Sequence, residues 1–484
     1  MTRPLRWYDL ITINIYYLAL TALSQTNGLV FPLLVQGFVG EATKGTRLGE
    51  LRLWSLMVAL LWQAVMGMLS DRNTSRWGRR RPFIFAGTLG IAVFIILTGV
   101  SAGMSGMAGF WFLFVTALLL SVAANTAHGA QQGLIPDLVP DERRGQFSAV
   151  KAILELPVPL ILVSFTIARM ISAGNLWLAL GVTLAVVLIS MAITMLAPEK
   201  PLPKAEAAPF DWAPILRLVL MTALFTSIIL GLGTLVRSLG GLLEGITSPA
   251  LLLGVIGLLG VVAMLVAVAV GVWISVRISI GNNAASTNPS FTWWVINRLA
   301  FLVGTTNLST FAIYFLQGRL GLEREKAAGP AALLMMVIGI FILLAALPSG
   351  ILGDRFGHKR MVFISGIVAA LGVLIALLSP NMTVIYVGGS LIGIATGFFF
   401  TANWALGTRI VPHAEAGRYL GISNLAGAGA GAVGAYIGGP LADYVTRRLP
   451  DMPGAGYVML FAIFGVMFLT SVLALQRVHT PQAH

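Results

Sequence analysis

The sequence predicts an all-α, polytopic membrane protein built as two six-helix bundles with two extra helices between them, about 14 spans in all. Three observations carry that expectation. The chain of 484 residues is 57% hydrophobic and only 10% charged, where a soluble protein carries about 25%. Most of it lies in apolar runs of about 20 residues or more, each long enough to cross a bilayer. Its charges gather in short loops, and one charged sentence occurs twice.

The spans fall at about 10–38, 51–70, 82–101, 107–130, 146–172 and 174–197. A polar break, "PEKPLPKAEAAPFDW", follows. Two more runs, about 213–236 and 249–278, precede a second break, "GNNAASTNPS". Six further spans follow at about 293–317, 328–350, 361–379, 383–409, 416–440 and 456–475. The domain boundaries implied are 1–197 for the first bundle, 198–292 for the central pair and 293–484 for the second bundle.

The net charge is +13. The basic residues sit beside apolar spans, as the positive-inside rule expects, so the charge reads as topology and not as nucleic-acid binding. That places "GRRR" and both termini on the cytoplasmic side. The first span follows "MTRPLRWYDL" with no small-residue cleavage site, so a retained helix is expected. A plasma (cytoplasmic) membrane protein results, with the lipid bilayer as its partner and a monomer as the simplest state. Cysteine is absent, which excludes disulfides and thiolate metal sites. No H-E-x-x-H, G-x-S-x-G or P-loop pattern occurs, so no enzyme, no metal and no cofactor is expected.

Three matches in one order link the two halves. "GMLSDRNTSRWGRRRPFI" (Gly67–Ile84) pairs with "GILGDRFGHKR" (Gly350–Arg360). "ANTAHG" (Ala124–Gly129) pairs with "ANWALG" (Ala402–Gly407), and "VPDERRGQF" (Val139–Phe147) pairs with "VPHAEAGRY" (Val411–Tyr419). Parallel six-helix repeats are a design of secondary transporters.

The two Gly-x-x-x-Asp-Arg loops resemble the signature of the major facilitator superfamily, over nearly the whole chain. The first of them, with "AANTAHGAQQGLIPDL", resembles the sucrose transporters and the glycoside-pentoside-hexuronide:cation symporters related to melibiose permease. The resemblance implies alternating access and a cytoplasmic latch between bundles. The latch would comprise Gly67, Asp71, Arg72, Arg76, Gly78, Arg79, Arg80 and Arg81, and in the second half Gly350, Asp354, Arg355, Gly357, Lys359 and Arg360. An aspartate at a helix C-terminus is badly placed for its own dipole and needs an outside partner. Gly67 and Gly350 are expected to allow close helix approach. So are Gly427, Gly431, Gly434 and Gly438, at four-residue spacing.

Polar side chains deep in a span face protein or water. Asn14, Tyr17, Thr21 and Ser24, with Gln25 beside them, share one helical face. Asn307, Thr310, Tyr314 and Gln317 repeat those offsets in the equivalent span. With Asn125, His128, Asn403 and Trp404 they are expected to line a substrate cavity. Each has a plain alternative as a helix–helix hydrogen bond. Amides, hydroxyls and rings suit a neutral, sugar-like small molecule, and suit an amphipathic drug as well.

"FSAVKAILELPVP" places Lys151 and Glu155 one turn apart. Lys151 lies about 8 Å and Glu155 about 14 Å into the span. Pro157 and Pro159 are expected to break the helix beside the carboxylate, a natural proton or cation site. A structural pairing with Lys151 is the alternative. The cation-binding aspartates of the resembled symporters are replaced here by Ala59 and Gln63. The aspartate and arginine of sucrose transporters are replaced by Ser121 and Gln132. The resemblance therefore supports neither sodium coupling nor sucrose as the substrate; if coupling exists, it is expected to use protons through Glu155, Lys151 and His128. The function expected is a secondary active transporter of a small solute. A drug or lipid exporter, or a non-transporting receptor or scaffold on the same fold, is the alternative.

Overall fold

Inside a bilayer each backbone N–H and C=O must be satisfied by the chain itself, so apolar runs of this length become helices. The computed structural model shows this throughout. It describes residues 5–199, 212–239, 245–411 and 416–479, with the side chains of 214 and 416–425 left aside. The expectations for most of the first polar break and for 412–415 of the "VPHAEAGRY" repeat lie outside the described residues.

Fourteen long helices succeed one another among the described residues. They are α1 (Asp9–Val39), α2 (Lys44–Asp71), α3 (Arg81–Ser101), α4 (Gly106–Leu138), α5 (Asp141–Ser172) and α6 (Leu176–Thr194). Then come α7 (Ala213–Leu239) and α8 (Pro249–Ile280). The last six are α9 (Pro289–Leu320), α10 (Ala328–Phe356), α11 (His358–Leu378), α12 (Met382–Ile410), α13 (Ala416–Arg448) and α14 (Ala455–Gln476). Thirteen are long and apolar enough to span a membrane. The six-two-six order and the all-α polytopic class match the sequence expectation.

The chain divides into two units whose boundary differs from the sequence-based one. The first comprises Met1–Phe38 and Val58–Leu216; the second comprises Val39–Met57 and Arg217–His484. Two physical reasons account for the difference. The extra helix α8 packs on α13 and α14, where the Gly260 backbone lies against Leu441 and Ile463 and leaves no room for a Cβ. The first half of α2 is drawn into the second unit by close backbone contact with α13. A Cβ on Gly439 would stand 2.1 Å from the Gly45 carbonyl oxygen, and one on Gly49 2.3 Å from that of Ala435.

Within the first unit α3 and α4 pack along small residues, and the Tyr16 hydroxyl bonds that of Thr88 at 2.6 Å. Within the second unit the core is aromatic. Phe301 stacks on Phe399 at 3.7 Å, and Phe315 on Phe461 at 4.0 Å. Helix α9 is its centre and is mostly buried.

Candidate functional site

In the first unit, the charged loop after α2 closes around one guanidinium. Arg80 is only 4% exposed. Its Nε donates to Asp137 Oδ2 at 2.8 Å, and its Nη2 pairs with Asp71. Arg79 donates to Asp71 Oδ1 at 3.0 Å and lies 3.6 Å from Asp137. Glu199 accepts from the backbone N–H groups of Arg80 and Arg81, the latter at 3.1 Å, and so caps the start of α3. Burial raises the Glu199 pKa above the ordinary carboxylate value, while those N–H groups and the two guanidinium charges oppose the rise. Gly78 turns the loop at φ +109. Arg72 donates to the Met68 carbonyl, and Arg76 is exposed. Asp137 and Glu199 were not anticipated, because each comes from a distant stretch of sequence.

The second copy of the loop is looser. Asp354 lies 3.4 Å from His358 Nε2 and is 78% exposed. Lys359 donates to the Val478 carbonyl at 2.6 Å, Arg355 stacks 5.4 Å over Phe356, and Arg360 is exposed. Gly357 turns this loop at φ +95. The facing helix comes close at Gly67, where a Cβ on Gly129 would stand 3.0 Å from the Gly67 nitrogen, while no tight approach is found at Gly350. A Cβ on either would make only a 3.9 Å contact, with the Gly129 carbonyl and with Thr401 respectively. The small residue that matters at the first place is Gly129, whose Cβ would stand 2.8 Å from the Gln63 carbonyl. Of the α13 glycines, Gly431, Gly434 and Gly438 leave no room for a side chain, and Gly427 has open space.

A polar cluster lies in the spans of the first unit. Helix α5 breaks at Glu155: the following Leu156 has φ −122, and Pro157 starts a new segment. Lys151 Nζ stands 3.6 Å from Glu155 Oε2 and 4.5 Å over the Tyr17 ring. Tyr17 meets His128 edge-on at 6.4 Å. The amides of Gln63 and Gln132 flank the two ring nitrogens of His128, at 3.4 and 3.2 Å. So Tyr17, His128, Lys151 and Glu155 come together. Thr21, Ser24 and Gln25 share the accessible side of α1. Asn14 turns away: it is buried, and its amide donates to the carbonyls of Leu10 and Phe147. Asn125 donates to its own helix, at Ser121.

In the second unit the expected stripe of α9 is largely buried. Asn307 donates to the carbonyls of Val303 and Ala430. Thr310 accepts from Arg52 Nη2 at 3.3 Å. Gln317 Oε1 accepts from Lys44 Nζ at 3.1 Å, and that ammonium sits 4.5 Å over the Tyr314 ring. Beside them Asp443, fully buried, accepts from the N–H groups of Gly45 and Thr46 and caps the start of α2. Asn403 Oδ1 accepts from Arg298 Nη1 at 3.0 Å, and Trp404 lies 5.7 Å from the same guanidinium. Arg52, Arg298 and Asp443 were not singled out from the sequence. The rule that found Glu155 applies to them equally, since a charge in mid-span costs about 3 kcal/mol on insertion scales.

Residues 294–484 match the family model of the Major Facilitator Superfamily. The fold is similar to that of the nucleoside transporter NupG (TM-score 0.61, 13% identity, covering 98% of this chain and 99% of that one). It is also similar to that of a D-xylose-proton symporter (TM-score 0.62, 14% identity, 98% and 97%). The peptide transporter POT gives a TM-score of 0.60 at 14% identity, covering 98% of this chain and 96% of that one. The fold is therefore the all-α, multi-pass fold that these transporters share, and the second half of the chain matches the superfamily's model. Among curated proteins, 117 residues are 30% identical to sucrose transport protein SUC3 of Arabidopsis thaliana, covering 19% of this chain and 18% of that protein. Over 100 residues the chain is 31% identical to the uncharacterized MFS-type transporter Rv1877 of Mycobacterium tuberculosis, covering 21% of this chain and 15% of that one. The matched stretches thus span less than a fifth of either relative.

Proposed function

We propose that this protein is a secondary transporter that moves a small, sugar-like solute across the cytoplasmic membrane by alternating access, coupled to protons through Glu155. The observation that carries the reading is the helix break at Glu155. It leaves a half-exposed carboxylate inside a span, with Lys151 3.6 Å away and Tyr17 and His128 beside that ammonium. A carboxylate that exchanges its pairing with Lys151 for a proton has two states of different charge. Such a group can link proton binding to a change of conformation. The partial likeness to sucrose transport proteins and the fold shared with a D-xylose-proton symporter support a sugar-like solute. Thr21 and Gln25 on the accessible side of α1, with Tyr17 and His128, supply hydroxyl, amide and ring contacts of the kind sugars use.

The test is pH-driven uptake in proteoliposomes over a sugar panel. Glu155→Gln keeps the side chain's size and removes its titration. Uphill accumulation should be lost, while exchange down a solute gradient persists. Undiminished pH-driven accumulation in Glu155→Gln would return the residue to a structural pairing with Lys151.

A further inference from the structure

Arg298 lies nine residues into α9, about 14 Å along the helix from its start. Its Nη1 donates to Asn403 Oδ1, and its Nε is buried without a hydrogen-bond partner. No carboxylate pairs with it among the described residues. The surroundings hold the guanidinium rather than neutralise it. Asn403 is fixed by donating to Asn297 Oδ1 at 2.9 Å, and Asn297 donates to the Ser471 carbonyl at 2.8 Å. Trp294, anchored by its Nε1–H on the Asn403 carbonyl, and Trp404 stand 6.0 and 5.7 Å from the charge.

The face that carries Arg298 is open and polar. Arg298, Thr305, Thr306 and Ser309 are the partly or fully accessible polar residues of α9 on that side, and Trp404 on α12 is 45% exposed. Polar side chains at this depth face water, not lipid. An arginine offers five donors in a planar fork suited to two carboxylate oxygens. An unpaired guanidinium in a span, steadied by amides and flanked by two indoles, is half of a charge pair.

We propose that Arg298, Asn403 and Trp404 form a recognition site for the carboxylate of a small organic anion, the solute's acidic group completing the pair. The proposal rests on the reading that the protein carries a solute, and it adds that solute's charge. The sugar-like solute is then an acidic one, a sugar acid with its ring against Trp404.

The test is equilibrium binding to the full chain in nanodiscs, followed by tryptophan fluorescence and thermal shift, which needs no flux. The probes are matched pairs: glucuronate with glucuronamide, and benzoate with benzamide. At least one acid should bind where its amide does not. Arg298→Gln should weaken that binding about 10- to 100-fold, as loss of a charge-assisted pair does. Arg298→Lys, which keeps the charge but not the fork, should lose less. Arg277→Gln, which removes a guanidinium stacked on Trp273 in α8, should change nothing. Equal binding of acid and amide, no acid binding up to solubility, or acid binding unchanged in Arg298→Gln would overturn the proposal. Displacement of the acids by phosphatidylglycerol in the nanodisc would assign the guanidinium to a lipid headgroup and overturn the solute assignment. Acid binding without flux would sink the transport reading and leave this one standing.

Discussion

The two copies of the charged loop begin with the same words and end as different structures. After α2, Arg80 is buried between Asp71 and Asp137, with Glu199 capping the next helix from a distant stretch of chain. After α10, Asp354 is exposed and has a histidine beside it in place of an arginine fork. The residues that differ explain the outcome. "GRRR" supplies planar guanidiniums that can bridge two carboxylates at once, while "GHKR" supplies an imidazole and an ammonium. Lys359 finds a single backbone carbonyl. A repeated motif therefore fixes one loop firmly within its own unit and leaves the other with little to hold it.

The comparison breaks most visibly at the arginine. Arg80→Ala would leave Arg79 as the one bridge between Asp71 and Asp137 and remove the buried guanidinium's charge-assisted hydrogen bonds, which costs about 1.5–3 kcal/mol. Lys359→Ala removes one hydrogen bond from a half-buried ammonium and should cost about 1 kcal/mol. Thermal melts of the two variants in one detergent should differ in that order. Equal losses would mean that the first loop is no better anchored than the second.

A matched pair of glycines sharpens the point. Gly78 and Gly357 both adopt a positive φ, which an alanine tolerates at a cost of about 1–3 kcal/mol. Around Gly357 there is open space, so Gly357→Ala should show that cost alone. A Cβ on Gly78 would stand 2.5 Å from a Glu199 carboxylate oxygen, so Gly78→Ala must also push away the cap of α3. The first variant should melt clearly above the second. The reverse order would show that the Glu199 contact yields without cost.

Much of this was legible before any coordinates. Helix number and order follow from hydropathy alone, because the bilayer leaves the backbone no other way to satisfy its hydrogen bonds. Glu155 could be found because a carboxylate stands out against an apolar span and two prolines announce the break. The polar stripes were harder. Periodicity tells which residues share a face, but not what that face meets, so Asn14 and Asn307 shared a stripe with Thr21 and Thr310 although their amides bond neighbouring backbones. Partners from distant segments, Asp137 and Glu199 for Arg80, leave no local trace. Asp443 was missed for another reason: the apolar pattern of α13 fades near Pro440, whereas the helix runs on to Arg448 and delivers the carboxylate to the start of α2.

The smallest expected effect concerns pH in the first loop. Burial raises the Glu199 pKa above its ordinary value of 4.5, against the pull of the Arg81 and Arg80 N–H groups and side chains. A carboxyl whose folded pKa is raised favours the folded state in its neutral form. Its contribution is fully present below the ordinary value and is lost as pH rises through the folded value. Glu199→Gln cannot titrate, and its amide oxygen still accepts one of the two N–H bonds, so the substitution itself should cost below about 1 kcal/mol, as helix caps do. The melting temperature of the native chain relative to Glu199→Gln should therefore fall as pH rises from below 4.5, then level off once Glu199 is fully ionised. A relative melting temperature that climbs with pH would mean that the two N–H bonds to the carboxylate outweigh its burial. The cap would then be a second charged anchor for the first loop and not a mildly strained one.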